Sequence, residues 1–313
     1  MLNRRHIRIK VMQTLYALHQ SHSDQVQTGE KFLNHSMDSI QELYLLMLTL
    51  LIEIRRKEED YIAISQKKHL ATREERNPNK KFIENQVLVL LSDSASINNK
   101  VDERSMVYWQ RNDHYIQLVL DEIKASQVYQ DYMKSTTRSF QEDKDFIVEL
   151  YTEIIAPNER IYDFLEDTKL TWVDDLPVIN TLIQKQLKQL KNTEQAFFVP
   201  KVFKDSEDQE FAMNLYRRTV LNSAEFAKEY EGKTPNWDIE RIAAIDVIVL
   251  KMAICEMLRF SSIPIKVTIN EYLEIVKEYS TPKSSIFING ILDTISKELE
   301  SQDRLNKIGK GLL

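Results

Sequence analysis

Residues 237–260 read WDIERIAAIDVIVLKMAICEMLRF, and this stretch decides the fold. After Trp237 and Asp238, which suit a helix start, Ile242, Ile245, Val249, Met252, Ala253 and Met257 recur at helical spacing. Apolar residues also fill the intervening positions, so almost every face is apolar and the helix is expected to lie at the centre of a bundle. Asp246 and Glu256 are the exceptions. They stand ten residues apart, nearly three turns along the helix, which suits helix-to-helix hydrogen bonding or a protein contact better than paired acid–base work.

Downstream, IPIKVTINEYLEIVKEYSTPKSSIFINGILDTISKEL (263–299) reads as two more helices separated by STPKSS at 280–285. Gly290 falls inside the second, where glycine costs up to about 1 kcal/mol relative to alanine. A neighbouring helix backbone in close approach is the expected reason. Upstream, LNRRHIRIKV (2–11) opens a helix over about Arg4 to His19, with Asn3 as cap and Ile7, Val11, Leu15 and Leu18 at helical spacing. Its first turns carry Arg4, Arg5 and Arg8, against the positive end of the helix dipole, and no acidic residue appears before Asp24. Phosphate contacts would offset that cost and use the free N–H groups of the helix end. A solvated basic end is the plain alternative.

Composition agrees with a helical chain. Only 5 Gly and 7 Pro occur in 313 residues, too few for the turns and phosphate loops of an α/β enzyme. A 42% hydrophobic content allows a substantial core. The net charge of −6 confines any nucleic-acid site to a local patch. The single cysteine, Cys255, excludes an internal disulfide and reads as a buried structural thiol. The most apolar run, Leu43 to Ile52, is shorter than the ~20 residues a bilayer requires, and no signal peptide is evident. A soluble cytoplasmic protein is expected.

Between these ends, apolar periodicity covers about Met37 to Ser65 and returns from about Glu103 to Ser135. ATREERNPNKK (71–81) reads as an exposed connection, and 83–100 as a short helix or buried strand, with helix favoured. DKDFIVELY (143–151) and DQEFAMNLY (208–216) match at an offset of 65 residues, which also aligns Ile155 with Val220 and Trp172 with Trp237. A weaker echo is IQELY at 40–44. Duplication of a helical unit and chance recurrence in a helix-rich chain both account for this.

No GxSxG, Walker, GxGxxG or HExxH motif occurs, so neither a catalytic constellation nor a cofactor is expected. All six histidines lie within the first 114 residues. His19 and His22 share a helix end without a partner to complete a metal site.

Taken together, these segments resemble the NusB family of transcription antitermination factors. The family's opening Arg-Arg, further Arg and Gln-x-Leu-Tyr are matched by Arg4, Arg5, Arg8, Gln13, Leu15 and Tyr16. Trp237, Arg241, Asp246, Ile248 to Leu250, Ala253 and Glu256 match its central helix. Pro264, Val267, Ile269, Asn270 and Glu271 supply its Pro-x-x-Val-x-Ile-Asn-Glu, and Phe287 to Asp293 its Phe-Ile-Asn-Gly-Ile-Leu-Asp. The resemblance covers residues 1–21 and about 208–299.

It implies an all-α helical bundle enlarged by an inserted helical region. Residues 1–21 would form the RNA-binding first helix and 22–142 the insertion. Residues 208–313 would be the C-terminal core, and 143–207 a degenerate repeat of its first part. The implied function is binding of boxA-type single-stranded leader RNA together with the small-subunit ribosomal protein NusE, in the transcription elongation complex and without catalysis. Arg4, Arg5, Arg8, Lys10 and Tyr16 would meet RNA from the first helix. Phe287 would stack on a base, with Lys283, Ser284 and Ser285 beside it. Where the family often has a basic residue, Ile286 stands here. Asn270, Glu271, Asn289 and Gly290 would bond across the two terminal helices. A helical interaction module without RNA binding is the main alternative, an RNA methyltransferase relative a further one, and dimerisation is open.

Overall fold

The computed structural model describes residues 1–21, 25–233 and 242–308. Every regular element among them is helical: sixteen α-helices, one π turn and one 3₁₀ turn. None of these helices is long and apolar enough to cross a membrane. The chain divides into two compact units, one of Met1–Met37 with Val202–Leu313 and the other of Asp38–Lys201.

In chain order the helices are α1 (Arg4–Gln20), α2 (Val26–Gln66), α3 (Arg73–Arg76), α4 (Gln86–Ser92), α5 (Ala95–Glu103), α6 (Tyr108–Arg111), α7 (Asp113–Ala125) and α8 (Gln127–Lys134). Next come α9 (Phe140–Leu150), α10 (Glu159–Thr168), α11 (Leu176–Gln189), α12 (Ser206–Leu221), α13 (Ser223–Tyr230), α14 (Ala244–Arg259), α15 (Ile265–Tyr279) and α16 (Pro282–Ser301). The border between the units falls inside α2, at Met37, rather than after residue 21 as the sequence led us to expect. Residues 143–201 belong to the same unit as the insertion.

In the unit that holds both chain ends, α14 is the central helix, packed against α1, α12, α13, α15 and α16. Its residues from Ile248 to Met257 are buried except Lys251, as an all-round apolar pattern requires. Trp237, Asp238 and Arg241, which the sequence places at its approach, lie outside the described residues. Thr281 caps α16 and Pro282 occupies its first turn, so the STPKSS segment does separate two helices.

Gly290 is exposed and nothing would lie within 4 Å of an added Cβ, contrary to the expected close approach. The buried stripe of α16 runs through Ser284, Ile288, Ile291, Leu292 and Ile295, which turns Asn289 and Gly290 outward. The close approach occurs instead at Gly29 on α2. There a Cβ would fall 1.9 Å from the Tyr216 hydroxyl oxygen of α12.

The second unit is built on the apolar run Leu43–Ile52, buried on every side except at Thr49. Buried indoles are satisfied by the α2 backbone: Trp172 donates to the Ser39 carbonyl at 3.0 Å and Trp109 to that of Leu46 at 3.0 Å. The ambiguous stretch 83–100 is helical, as α4 and α5, capped by Asn85 and Ser94. The two copies of the 65-residue repeat lie in different units, on α9 and α12. Each starts from a side-chain cap, Ser139 or Asp205, and each buries the matched Asp, Phe, Leu and Tyr. They part at the end, where α9 runs into the π turn Tyr151–Ile155 and α12 continues to Leu221.

Candidate nucleic-acid interface

The arginine cluster on α1 is not a free cationic surface. The Arg4 Nε donates to Asp208 on α12 at 3.1 Å. Arg5 makes a forked pair with Glu271 on α15, both bonds at 2.9 Å. Arg8 makes a second forked pair with Glu256 on α14, both bonds at 2.8 Å. Its guanidinium lies over the rings of Phe211 (5.2 Å) and Tyr272 (5.8 Å), and the Thr268 and Tyr272 hydroxyls donate to the same carboxylate. Glu271 also lies 3.6 Å from Arg8, so one carboxylate serves two arginines. The unfavourable first-turn charges are thus balanced by acidic residues of three other helices.

Burial opposes the charge on Arg8, but the hydrogen bond and charge of Glu256 outweigh it and raise its pKa above the ordinary value. The bond from Arg5 likewise holds the Glu271 carboxyl below the usual range. His6, between Arg5 and Ile7, has its pKa lowered by burial and then by the charges of Arg5 and Lys10. Its Nδ1 is buried without a hydrogen bond.

Three of the expected contact residues are therefore interior. Arg8 is 2% exposed, Lys10 is buried in α1, and Ser284 is buried with its hydroxyl donating to Asp246 at 2.7 Å. The reason is helical phase. Arg8 stands on the stripe of Val11 and Leu15 that faces α14, and Ser284 on the stripe of Ile288 and Ile291. Arg4 and Arg5 each keep 41% of their side-chain surface open. Tyr16 and Phe287 are half-buried, Lys283 is exposed, and Ser285 is half-buried with its hydroxyl on the Pro282 carbonyl.

These residues do not form one cluster. Ser284 is tied to Asp246 and Arg8 to Glu256, ten residues apart on α14, or roughly 15 Å along its axis. Asp246 and Glu256 do serve as helix-to-helix anchors. Of the four residues expected to bridge α15 and α16, Glu271 is spent on α1, and Asn270, Asn289 and Gly290 are exposed.

Burial pushes the Cys255 thiol up to about 12, which leaves it protonated and unreactive at neutral pH. His22 lies outside the described residues, and no cluster of three metal-ligating side chains occurs among those described.

The sequence reading missed Asp208, Phe211 and Tyr272. Arg8 on an apolar stripe and Glu256 in an apolar helix are the signals that could have revealed the central pair, since a lone buried charge demands its complement.

The NusB family model matches residues 176–297. A transcription antitermination protein NusB from Salinibacter ruber is 45% identical over 109 residues, covering 35% of this chain and 68% of that protein. NusB from Koribacter versatilis is 35% identical over 111 residues, 36% of this chain and 76% of its own length. That from Chloroherpeton thalassium is 38% identical over 112 residues, and the match spans 53% of its length. The solved T. maritima NusB is 32% identical over 37% of this chain and 83% of that one, with a TM-score of 0.29. The chain belongs to the NusB family.

Proposed function

We propose that the protein is an antitermination factor that binds boxA-type single-stranded leader RNA together with the ribosomal protein NusE during ribosomal RNA transcription. It acts in the cytoplasm, within the elongation complex, and adds no chemistry of its own. The relatives are named as transcription antitermination proteins. The observation that carries the reading is the start of α1. Arg4 and Arg5 each keep part of their side-chain surface open at a helix N-terminus whose first turn holds no acidic residue.

In this reading Arg4 and Arg5 share their charge between carboxylates and RNA phosphates, and Tyr16 adds a contact along the same helix. Phe287 stacks on a base with Lys283 and Ser285 beside it. Arg8, Lys10 and Ser284 hold the two edges in place from within. Residues 143–207 are a degenerate copy of the segment that begins at residue 208.

A second reading, a protein-docking module without RNA binding, draws on two observations. Every arginine of the cluster already has a carboxylate partner, and Ile286 beside Phe287 is 77% exposed. Titrating boxA-type and scrambled single-stranded RNA, with and without NusE, separates the two. Preference for boxA that sharpens with NusE supports the antitermination reading. Equal weak binding of both RNAs in either condition supports the docking module.

A further inference from the structure

A cluster of cations without ion pairs among the described residues lies in the second unit. Segments 66–81 and 133–139 hold eight lysines and arginines against two glutamates, in a chain whose overall balance is acidic. Lys68 and Lys81 are paired with Glu75 and Glu142. The other six, Lys67, Arg73, Arg76, Lys80, Lys134 and Arg138, form no ion pair among the described residues, and all six are exposed.

The two segments are fastened side by side. Asn79 donates to the Met133 carbonyl at 2.9 Å. The buried Lys81 ammonium donates to the Ser135 carbonyl and to Glu142, each at 3.1 Å, and sits 4.3 Å over the Tyr132 ring. Gln66 at the end of α2 holds the Arg76 carbonyl at 3.2 Å. Thr72 and Glu75 form a capping box on α3, which spaces Arg73 and Arg76 on one turn.

Two of the three nearby carboxylates are occupied, while Glu74 stands exposed and forms no ion pair among the described residues. Glu75 is taken by Lys68 and Thr72, and Glu142 by Lys81 and Ser135. His69 and Leu70 stand exposed among the cations, Leu70 at 87%, as does Tyr61 on α2.

We infer that this face of the second unit, from Lys67 to Lys80 with Lys134 and Arg138, binds the phosphate backbone of single-stranded RNA. The inference rests on the reading of the protein as an RNA-binding factor. A backbone tract fits because the six charges are spread along two loops rather than converging on one point. Exposed side chains between them offer flat and apolar surface to bases without selecting a sequence. The ordered loops leave little conformational entropy to lose on binding.

The test uses the full chain and a labelled, unstructured single-stranded RNA of scrambled sequence. Binding is followed against salt for the wild type, for Arg73→Ala/Arg76→Ala/Lys80→Ala/Arg138→Ala, and for Arg4→Ala/Arg5→Ala. The quadruple variant should bind at least tenfold more weakly at low salt, with a log–log salt slope shallower by about 2–3 units. Its unfolding midpoint should be unchanged, because the four side chains hold no ion pair that the fold depends on. Unchanged affinity and slope overturn the inference, even if Arg4→Ala/Arg5→Ala abolishes boxA preference and so upholds the function proposed above. Loss in the quadruple variant with boxA preference untouched by Arg4→Ala/Arg5→Ala supports this surface and removes that one. Displacement of the RNA by polyglutamate at equal charge concentration would show an acidic-protein surface instead and overturn the assignment to RNA.

Discussion

Arg8 and Glu256, 248 residues apart in sequence, form a forked ion pair with both bonds at 2.8 Å in the interior of the first unit. Because neither charge reaches water, the pair behaves as a lock whose halves cannot be removed singly. Glu256→Leu or Arg8→Met alone should destabilise by about 3–5 kcal/mol, since each leaves a buried charge uncompensated. The double variant should lose much less than the sum. Denaturant midpoints in a double-mutant cycle measure this, and additive losses would contradict it.

The Arg5–Glu271 pair lies nearer the surface and makes the opposite prediction for binding. If Glu271 competes with phosphate for Arg5, Glu271→Gln should raise RNA affinity several-fold at low salt. Its cost in stability should stay at or below about 1 kcal/mol. RNA titration alongside thermal unfolding reads both, and weaker binding by the variant would count against the competition.

His6 sets an acid dependence. Burial and the neighbouring cations keep it neutral in the fold, whereas an unfolded histidine takes up a proton near pH 6.5. Below that pH the unfolded state binds more protons, so stability falls as pH drops through the window down to the lowered folded value. The melting temperature should decline between about pH 7.5 and 5.5, and His6→Gln should reduce the decline. Glu271, depressed by Arg5, adds its own loss only further down, as pH falls below the ordinary carboxylate range. An equal decline in wild type and His6→Gln would exclude this role for His6.

Two glycines should respond with opposite signs. Gly29→Ala drives a methyl group into the Tyr216 ring, which lies 2.6 Å away at Cζ, and should cost about 1–3 kcal/mol. Gly290→Ala meets only open space and should gain up to about 1 kcal/mol. Melting temperatures of the two variants decide the matter.

Ser105 sits in left-handed conformation (φ 49°) just beyond α5, where its N–H bonds the Asp102 carbonyl and the Met106 N–H that of Val101. This Schellman ending favours glycine, so Ser105→Gly should stabilise by about 1 kcal/mol. A destabilised variant, by the same denaturant measurement, would show that the serine hydroxyl has another role.

Much of the fold was legible because the information was local. The period of Ile7, Val11 and Leu15 marks α1, and the near-continuous apolar content of 242–257 marks a central helix. The run Leu43–Ile52 was legible as apolar and too short for a membrane, and in the fold it is the buried stretch of α2. What sequence could not show was pairing across hundreds of residues. Arg4, Arg5 and Arg8 looked like free charge because Asp208, Glu271 and Glu256 come to them only in the fold. The converse held at 71–81, which read as a mere connection. Of its cations, Lys81 is paired with Glu142, while Arg73, Arg76 and Lys80 form no ion pair among the described residues and the neighbouring Glu75 is taken by Lys68 and Thr72.

The most direct test of the central claim is the affinity of Arg4→Ala/Arg5→Ala for boxA-type RNA in the presence of NusE, measured across salt against the wild type. Arg8 is left in place so that the core stays intact. The variant should lose its preference for boxA over scrambled RNA and show a shallower salt slope, with a stability loss of no more than about 1–2 kcal/mol from the broken Asp208 and Glu271 pairs. Wild-type affinity, preference and slope in the variant would contradict the assignment of RNA binding to the start of α1.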